Sequence, residues 1–192
     1  HLSIRRQRQM CIRDRLWGLS SYNGIIGVQE QATTELANVQ TQYQRRADMM
    51  PQLAKIVKAY AKHEKETFEA VTKARAAVGQ VKLDASNLTP EKLKAYSDAQ
   101  GELANAFSKL MVVAEKYPEL KASDNFKSLQ IQEEGTENRI SEARRKYNDA
   151  VQQYNLKVRK MPTAIIANLF GFQTMPKFEA AAGAEKAPDL DI

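Results

Sequence analysis

The sequence is poor in the residues that build disulfide frameworks, metal sites and β-turns. Its 192 residues include one cysteine, two histidines, eight glycines and six prolines, and aromatic residues make up only 7%. A single cysteine excludes an internal disulfide and any zinc site built on cysteines. No apolar run reaches the length of about 18 residues that a membrane span needs. With so few turn-forming residues, we expect long helices rather than a sandwich or barrel.

The positive charge is concentrated at the start of the chain. The 29 lysines and arginines outnumber the 23 aspartates and glutamates, which gives a formal net charge of +6. Residues 1–15 hold five arginines and one aspartate, so they contribute +4 and leave only +2 for residues 16–192. Because this body is nearly neutral, we do not expect nucleic acid as a partner.

The first fifteen residues differ in character from the rest. They have neither the apolar core of a signal peptide nor a sustained helical stripe, so we interpret residues 1–15 as a non-native or disordered basic segment. The string Ile4–Arg15 is similar to translated adapter read-through from environmental sequencing. The stretch Trp17-Gly18-Leu19 is typical of the interfacial end of a membrane helix. Residues 16–23 are therefore predicted to be the remnant of a lost membrane anchor.

Apolar residues recur every three or four positions over three long stretches, which predicts amphipathic helices. The first stripe runs from Ile25 to Val78 and contains Pro51. Because its phase continues across the proline, we predict one helix kinked near Pro51 rather than two helices. Two further long stripes and a short apolar segment follow, at residues 93–117, 126–158 and 164–170.

These patterns predict an all-α fold, an elongated antiparallel bundle of three long helices with a short C-terminal helix. Thr89, directly before a proline, is the predicted N-cap of the second helix. Pro118 and Pro162 are expected to end the second and third helices. The bundle is predicted over residues 24–179. Residues 180–192, rich in alanine and acidic residues, are expected to form a disordered tail.

Charged residues on the first and third predicted long helices suggest a polar contact between these helices. Arg45, Arg46 and Asp48 lie just before the proline of the first stripe, and Glu137 and Arg139 lie on the third. The simplest interpretation is that the charges of each helix form ion pairs at the surface, and such pairs contribute little to stability. The alternative is a lock in the middle of the bundle, where Arg45 or Arg46 meets Glu137.

No pattern of catalytic, cofactor-binding or metal-binding residues stands out. His63-Glu64 resembles the start of a zinc-protease motif, but position 67 is threonine and the second histidine is absent, so we expect no metal and no cofactor. Glu133 and Glu134 lie near Glu137 and could form a paired acid and base. Such a cluster is more often a solvated face, and we expect no catalytic residue.

The dipeptide Tyr-Asn occurs three times, at Tyr22, Tyr147 and Tyr154. The last two lie seven residues apart, so they share one face of a helix. We interpret them as half-buried tyrosines with hydroxyl groups at the rim of the bundle. A ligand site is the alternative.

Several short motifs together resemble a known protein family. They include Ala37-Asn38-Val39, Asp48-Met49-Met50-Pro51, Tyr117-Pro118-Glu119-Leu120, Thr136-Glu137-Asn138-Arg139-Ile140, Tyr147-Asn148, Tyr154-Asn155 and Leu169-Phe170-Gly171-Phe172. In this order, over residues 16–179, the set resembles the LemA family.

The resemblance implies a bacterial protein with one N-terminal membrane helix, a helical-bundle body and no known catalytic residue. We therefore expect a non-catalytic binding or scaffolding module, anchored in the membrane by a helix that is missing here, with unknown protein partners. The chain as written would be soluble. The alternative is a membrane-associated hydrolase or enzyme accessory that uses the carboxylate cluster at Glu133–Arg139.

Overall fold

A computed structural model describes residues 2–179 of the chain, with the side chains of residues 12–179, and the predicted tail 180–192 lies outside these described residues. Over this range the chain forms α-helices, one short 3-10 turn and no strand. The helices are α1 (Leu2–Tyr60), α2 (Lys65–Gln80), α3 (Pro90–Glu115), α4 (Pro118–Ala122), α5 (Asp124–Arg159) and α6 (Thr163–Leu169). The predicted all-α helical bundle is confirmed.

The first predicted helix is two helices in the structure. Pro51 lies inside α1, which continues past it to Tyr60, in keeping with the uninterrupted apolar phase. The chain then leaves the helical conformation over Ala61–Glu64, so the prediction of a single helix as far as Val78 is wrong. The reason is tertiary. By folding back, α2 buries Val71 and its neighbours against α3 and the second half of α1.

Helix α1 also begins earlier than the apolar pattern indicates. It includes residues 2–15, which the structure makes helical rather than disordered. Arginine, glutamine and methionine are good helix formers, and an existing helix extends at little cost because nucleation is already complete. Whether this segment is native stays a prediction. No helix in the described range is both long and apolar enough to cross a membrane.

Three of the helix ends follow local signals in the sequence. The Thr89 hydroxyl accepts a hydrogen bond from the Lys92 backbone N–H at 3.2 Å, which is the predicted N-cap of α3. Helix α3 ends shortly before Pro118 and α5 ends shortly before Pro162, as predicted. Helix α6 corresponds to the short fourth apolar segment, and Gly171 follows it with a φ of 74°.

The core consists of three apolar clusters in series along α1. The first cluster joins the second half of α1 to α2, α3, α4 and the start of α5; the second joins the middle of α1 to α3 and α5; the third joins α1 to the end of α5 and α6. The central residues of the first cluster are Leu53, Val57, Leu103, Leu110 and Phe126. Those of the second are Leu36, Tyr43, Ile140, Tyr147 and Val151. Those of the third are Ile25, Tyr154 and Ala167. This order makes α5 antiparallel to α1. Tyr60, the last residue of α1, lies at the edge of the first cluster and is 43% exposed.

Candidate functional site

A layer of polar side chains interrupts the core between the first and second clusters. Arg46 of α1, Gln100 of α3, and Glu133 and Thr136 of α5 are each no more than 3% exposed. Buried polar groups cost free energy unless they find partners. We call these four residues the polar layer, and it is the first candidate site.

An ion pair forms the centre of the polar layer. Arg46 Nε lies 3.3 Å from Glu133 Oε1, and both side chains are only 4% exposed. Arg46 also contacts Glu137 through Nη2, although half of the Glu137 side chain faces solvent. The structure therefore brings Arg46 against Glu137, the pairing suggested by the sequence, and adds a buried partner, Glu133. The interpretation of Glu133 as part of a solvated face is wrong, because α5 turns this residue towards α1.

The other residues of the suggested lock lie outside this pair. Arg45, Asp48 and Arg139 are exposed and form no ion pair with any described residue. Asp48 instead accepts a hydrogen bond from the Gln44 amide at 2.9 Å. Glu134 is exposed, as a solvated residue should be.

Burial dominates the ionisation of the central pair. It raises the pKa of Glu133, and the neighbouring Arg46 offsets only part of that effect. Burial likewise lowers the pKa of Arg46, which Glu133 partly restores. Glu133 Oε2 is buried without a hydrogen-bond partner in the described structure. Such a pair is costly to assemble and costly to break.

Two tyrosines pack beside the pair. The rings of Tyr43 and Tyr96 meet edge to face with 5.4 Å between their centroids. The Arg46 guanidinium lies over the Tyr43 ring at 5.9 Å, within the range of a cation–π contact. Burial raises the pKa of Tyr96 to about 12, so this hydroxyl remains protonated at neutral pH.

The second candidate site is formed by the Tyr-Asn dipeptides of α5, which hold the segment after α6 in place. The Tyr147 hydroxyl donates to the Pro176 carbonyl at 2.8 Å. The Asn148 side-chain amide donates to the Phe178 carbonyl at 3.0 Å, and its oxygen accepts from the Phe178 N–H at 2.9 Å. The amide of Asn148 thus pairs with both backbone groups of one extended residue.

The same arrangement recurs two turns further along the helix. The Tyr154 hydroxyl donates to the Gln173 carbonyl at 2.8 Å. Asn155 donates to the Met175 carbonyl at 2.9 Å and accepts from the Met175 N–H at 2.8 Å. Six hydrogen bonds therefore join two dipeptides of α5 to one segment of backbone. We call these two dipeptides the Tyr-Asn ladder.

The spacing of the ladder matches the geometry of an extended chain. Seven helical residues rise about 10.5 Å, and three extended residues span about 10 Å. Asn148 and Asn155 differ by seven positions, whereas Phe178 and Met175 differ by three, so both rungs fit at once. The repeat of Tyr-Asn at a spacing of seven is the sequence signal of this site.

The tyrosines of the ladder are more buried than the sequence pattern suggested. Tyr147 and Tyr154 are at most 1% exposed, so the interpretation as half-buried rim residues is wrong. Burial raises the pKa of both hydroxyl groups. The third dipeptide also meets this part of the chain, because the Tyr22 ring packs on Phe170 at 4.8 Å and on Phe172 at 5.6 Å.

A third feature is an apolar surface at one end of the bundle. Among the described side chains, nine of the twelve exposed large apolar residues lie in the first part of α1, at the end of α5, or in and beside α6. They are Ile12, Leu16, Trp17, Leu19, Leu156, Met161, Ile165, Leu169 and Phe170. Residues 156–172 also contain three basic and no acidic side chains. We call this region the end surface.

Comparison with known proteins identifies relatives over most of the chain. The sequence matches the model of the LemA family over residues 35–191, well over half of the chain. It is 26% identical over 183 residues to magnetosome protein MamQ of Magnetospirillum gryphiswaldense, covering 86% of this chain and 67% of that protein. It is 26% identical over 178 residues to MamQ 2 of Paramagnetospirillum magneticum, covering 84% and 65%. The chain thus spans about two thirds of the length of these relatives, and it belongs to the LemA family.

Proposed function

We propose that this chain is a non-catalytic binding or scaffolding module that associates with a membrane through its end surface. The observation that carries the proposal is the concentration of exposed apolar side chains at one end of the bundle. Soluble monomers rarely expose contiguous apolar patches above a few hundred Å². The similarity to two magnetosome proteins supports association with a cellular structure.

The composition of the end surface supports a lipid headgroup region as its partner. Trp17 is 42% exposed, and tryptophan is enriched where proteins meet the membrane interface. Lys157, Arg159 and Lys160 lie next to the apolar residues. Apolar side chains beside lysine and arginine are typical of segments that lie on anionic bilayers.

Co-sedimentation of the full chain with lipid vesicles tests this association. We expect binding to vesicles that contain phosphatidylglycerol and weaker binding to pure phosphatidylcholine. The double variant Ile165→Ser/Leu169→Ser should lose most of the binding. Ile131→Ser is the matched control, because Ile131 is 69% exposed but lies on α5 far from the end surface. Equal binding by the double variant and the control would refute the proposal.

The burial of Glu133 supports a binding role over the enzyme alternative at Glu133–Arg139. A general acid or base must come within hydrogen-bond reach of a substrate proton. The Glu133 side chain is 4% exposed and faces Arg46, so a substrate would have to open the helix pair to reach it. A Glu133→Gln protein that folds normally but loses a cellular activity would favour the enzyme alternative.

A further inference from the structure

An open groove of about 1710 Å³ runs along α1, and residues of α2, α3 and α5 also line it. Its lining on α1 extends from Ala37 to Lys58, a rise of roughly 32 Å at 1.5 Å per residue. The facing wall is α2, which runs antiparallel to α1. This direction follows from the Gln40 side chain, which donates to the Leu83 carbonyl just beyond the end of α2 at 2.9 Å.

The charges in the groove are almost all of one sign. Its lining contains a single acidic side chain, Asp48. It contains six basic side chains, which are Arg45, Lys55, Lys58, Arg75, Lys82 and Arg139. All six are exposed, and none forms an ion pair with a described residue. Residues 16–192 carry 24 basic and 22 acidic side chains, so 18 basic and 21 acidic residues remain outside the groove. The groove is therefore basic on a body that is otherwise slightly acidic.

The floor of the groove is apolar, with one unsatisfied polar group. Phe68, Val78 and Leu83, each partly exposed, contribute apolar surface. Gln100 also lines the groove, is 2% exposed, and has no hydrogen-bond partner for either side-chain atom in the described structure. A buried amide without partners is costly. Because both polar atoms of Gln100 are buried, this residue is not counted among the groups that contact a ligand.

We propose that the groove binds an acidic amphipathic helix of a partner protein, an inference that rests on the binding role proposed above. Apolar side chains of such a helix, spaced at i, i+3, i+4 and i+7, would pack on the floor. Its carboxylates would pair with the exposed basic residues that line the groove. Complementary charge of this kind favours encounter and selects the partner.

The distribution of the basic residues favours a helix over a lipid. Lys58 lies at one end of the groove and Lys82 near the other, at the level of Gln40, about 27 Å away at 1.5 Å per residue of α1. An anionic lipid carries its charge at one end, so it would need the basic residues clustered around one headgroup. An acidic helix of about 18 residues presents charge along this whole length.

Fluorescence anisotropy with the full chain tests the proposal. The probe is a labelled peptide of about 18 residues, the length set by the helix rise, with leucine on one face and glutamate on the other. Its control carries lysine in place of glutamate. The acidic peptide should bind about tenfold tighter than the basic one, and added salt should weaken its binding.

Charge reversal locates the peptide. Lys55→Glu/Arg75→Glu should weaken binding of the acidic peptide about tenfold or more. Lys109→Glu/Lys127→Glu is the matched control, since both lysines are exposed on helices outside the groove. It should change the affinity less than about twofold. Circular dichroism checks that both variants fold.

Three results would overturn the proposal. The first is equal affinity for the acidic and the basic peptide. The second is unchanged peptide binding by the groove variant. The third is a groove variant that loses binding to anionic vesicles but keeps binding to the peptide, which would make the occupant a lipid. These results are separable from failure of the membrane proposal, because that test changes Ile165 and Leu169 at the opposite part of the bundle.

Discussion

Replacing Arg46 with alanine should destabilise the bundle by removing the cation that pairs with a buried carboxylate. Glu133 is 4% exposed and would remain in the core without a counter-charge. Breaking a buried ion pair from one side costs about 3–5 kcal/mol. Glu133 can escape part of this cost by taking up a proton, and burial already raises its pKa. The destabilisation should therefore be larger at pH 7 than in mild acid.

Glu137→Ala provides the comparison for Arg46→Ala. Its side chain is 49% exposed, and Arg46 keeps Glu133 when Glu137 is lost. We expect a cost of about 1 kcal/mol or less, the range of solvent-screened pairs. The double variant Arg46→Met/Glu133→Leu should be close to neutral or stabilising, because it replaces both charges with apolar groups.

Equilibrium unfolding in urea, followed by far-ultraviolet circular dichroism, measures these differences. The slope of free energy against urea should be the same in each protein, so that midpoints report stability rather than compactness. A cost below about 1 kcal/mol for Arg46→Ala would show that the pair is effectively solvated. A larger cost for Glu137→Ala than for Arg46→Ala would mean that the structure assigns the wrong buried partner.

Three further predictions concern the ladder, the core and the pH dependence. Asn155→Ala removes both hydrogen bonds to Met175 and should lower the free energy of unfolding by about 1–3 kcal/mol. Faster hydrogen exchange at the Met175 amide is the specific readout, and unchanged exchange would contradict the ladder. Leu103→Ala should cost about 2–5 kcal/mol in urea unfolding because the residue is fully buried, whereas Tyr60→Ala should cost well under half of that; similar values would contradict the packing. The folded pKa of Glu133 lies above its ordinary value of 4.5, so the contribution of protonated Glu133 to stability is present below that pH and is lost as the pH rises through the folded pKa. Glu133→Gln should remove this loss in unfolding curves measured from pH 4 to 7. An unchanged pH profile would count against this role of Glu133.

The helices were predictable where a local signal sets their ends. The Thr89 hydroxyl can accept a hydrogen bond from a free N–H of the following helix, and a proline disrupts a helix that runs into it. Both signals therefore act over a few residues. The end of α1 near Ala61 has no glycine or proline beside it. That break depends on the burial gained when α2 folds back, which no local pattern encodes.

The candidate sites were predictable only in part. The charge pattern suggested that Arg46 meets Glu137, but Glu133 lies one turn away on the same helix and the sequence could not rank the two. The heptad repeat of Tyr-Asn marked Tyr147 and Tyr154 as special. It did not identify their partner, because the contacted segment near Met175 is bound through its backbone and carries no matching side-chain signal.

The helical class, the cap at Thr89 and the apolar stripes followed from the amino-acid sequence alone, because they depend on periodicity and on backbone chemistry within a few residues. Only the tertiary structure decided which polar residues are buried, which surface stays apolar, and which segment the ladder holds. Those outcomes depend on how helices distant in sequence face one another. A rotation of α5 by one residue, about 100°, would exchange buried and solvated positions without altering any local preference.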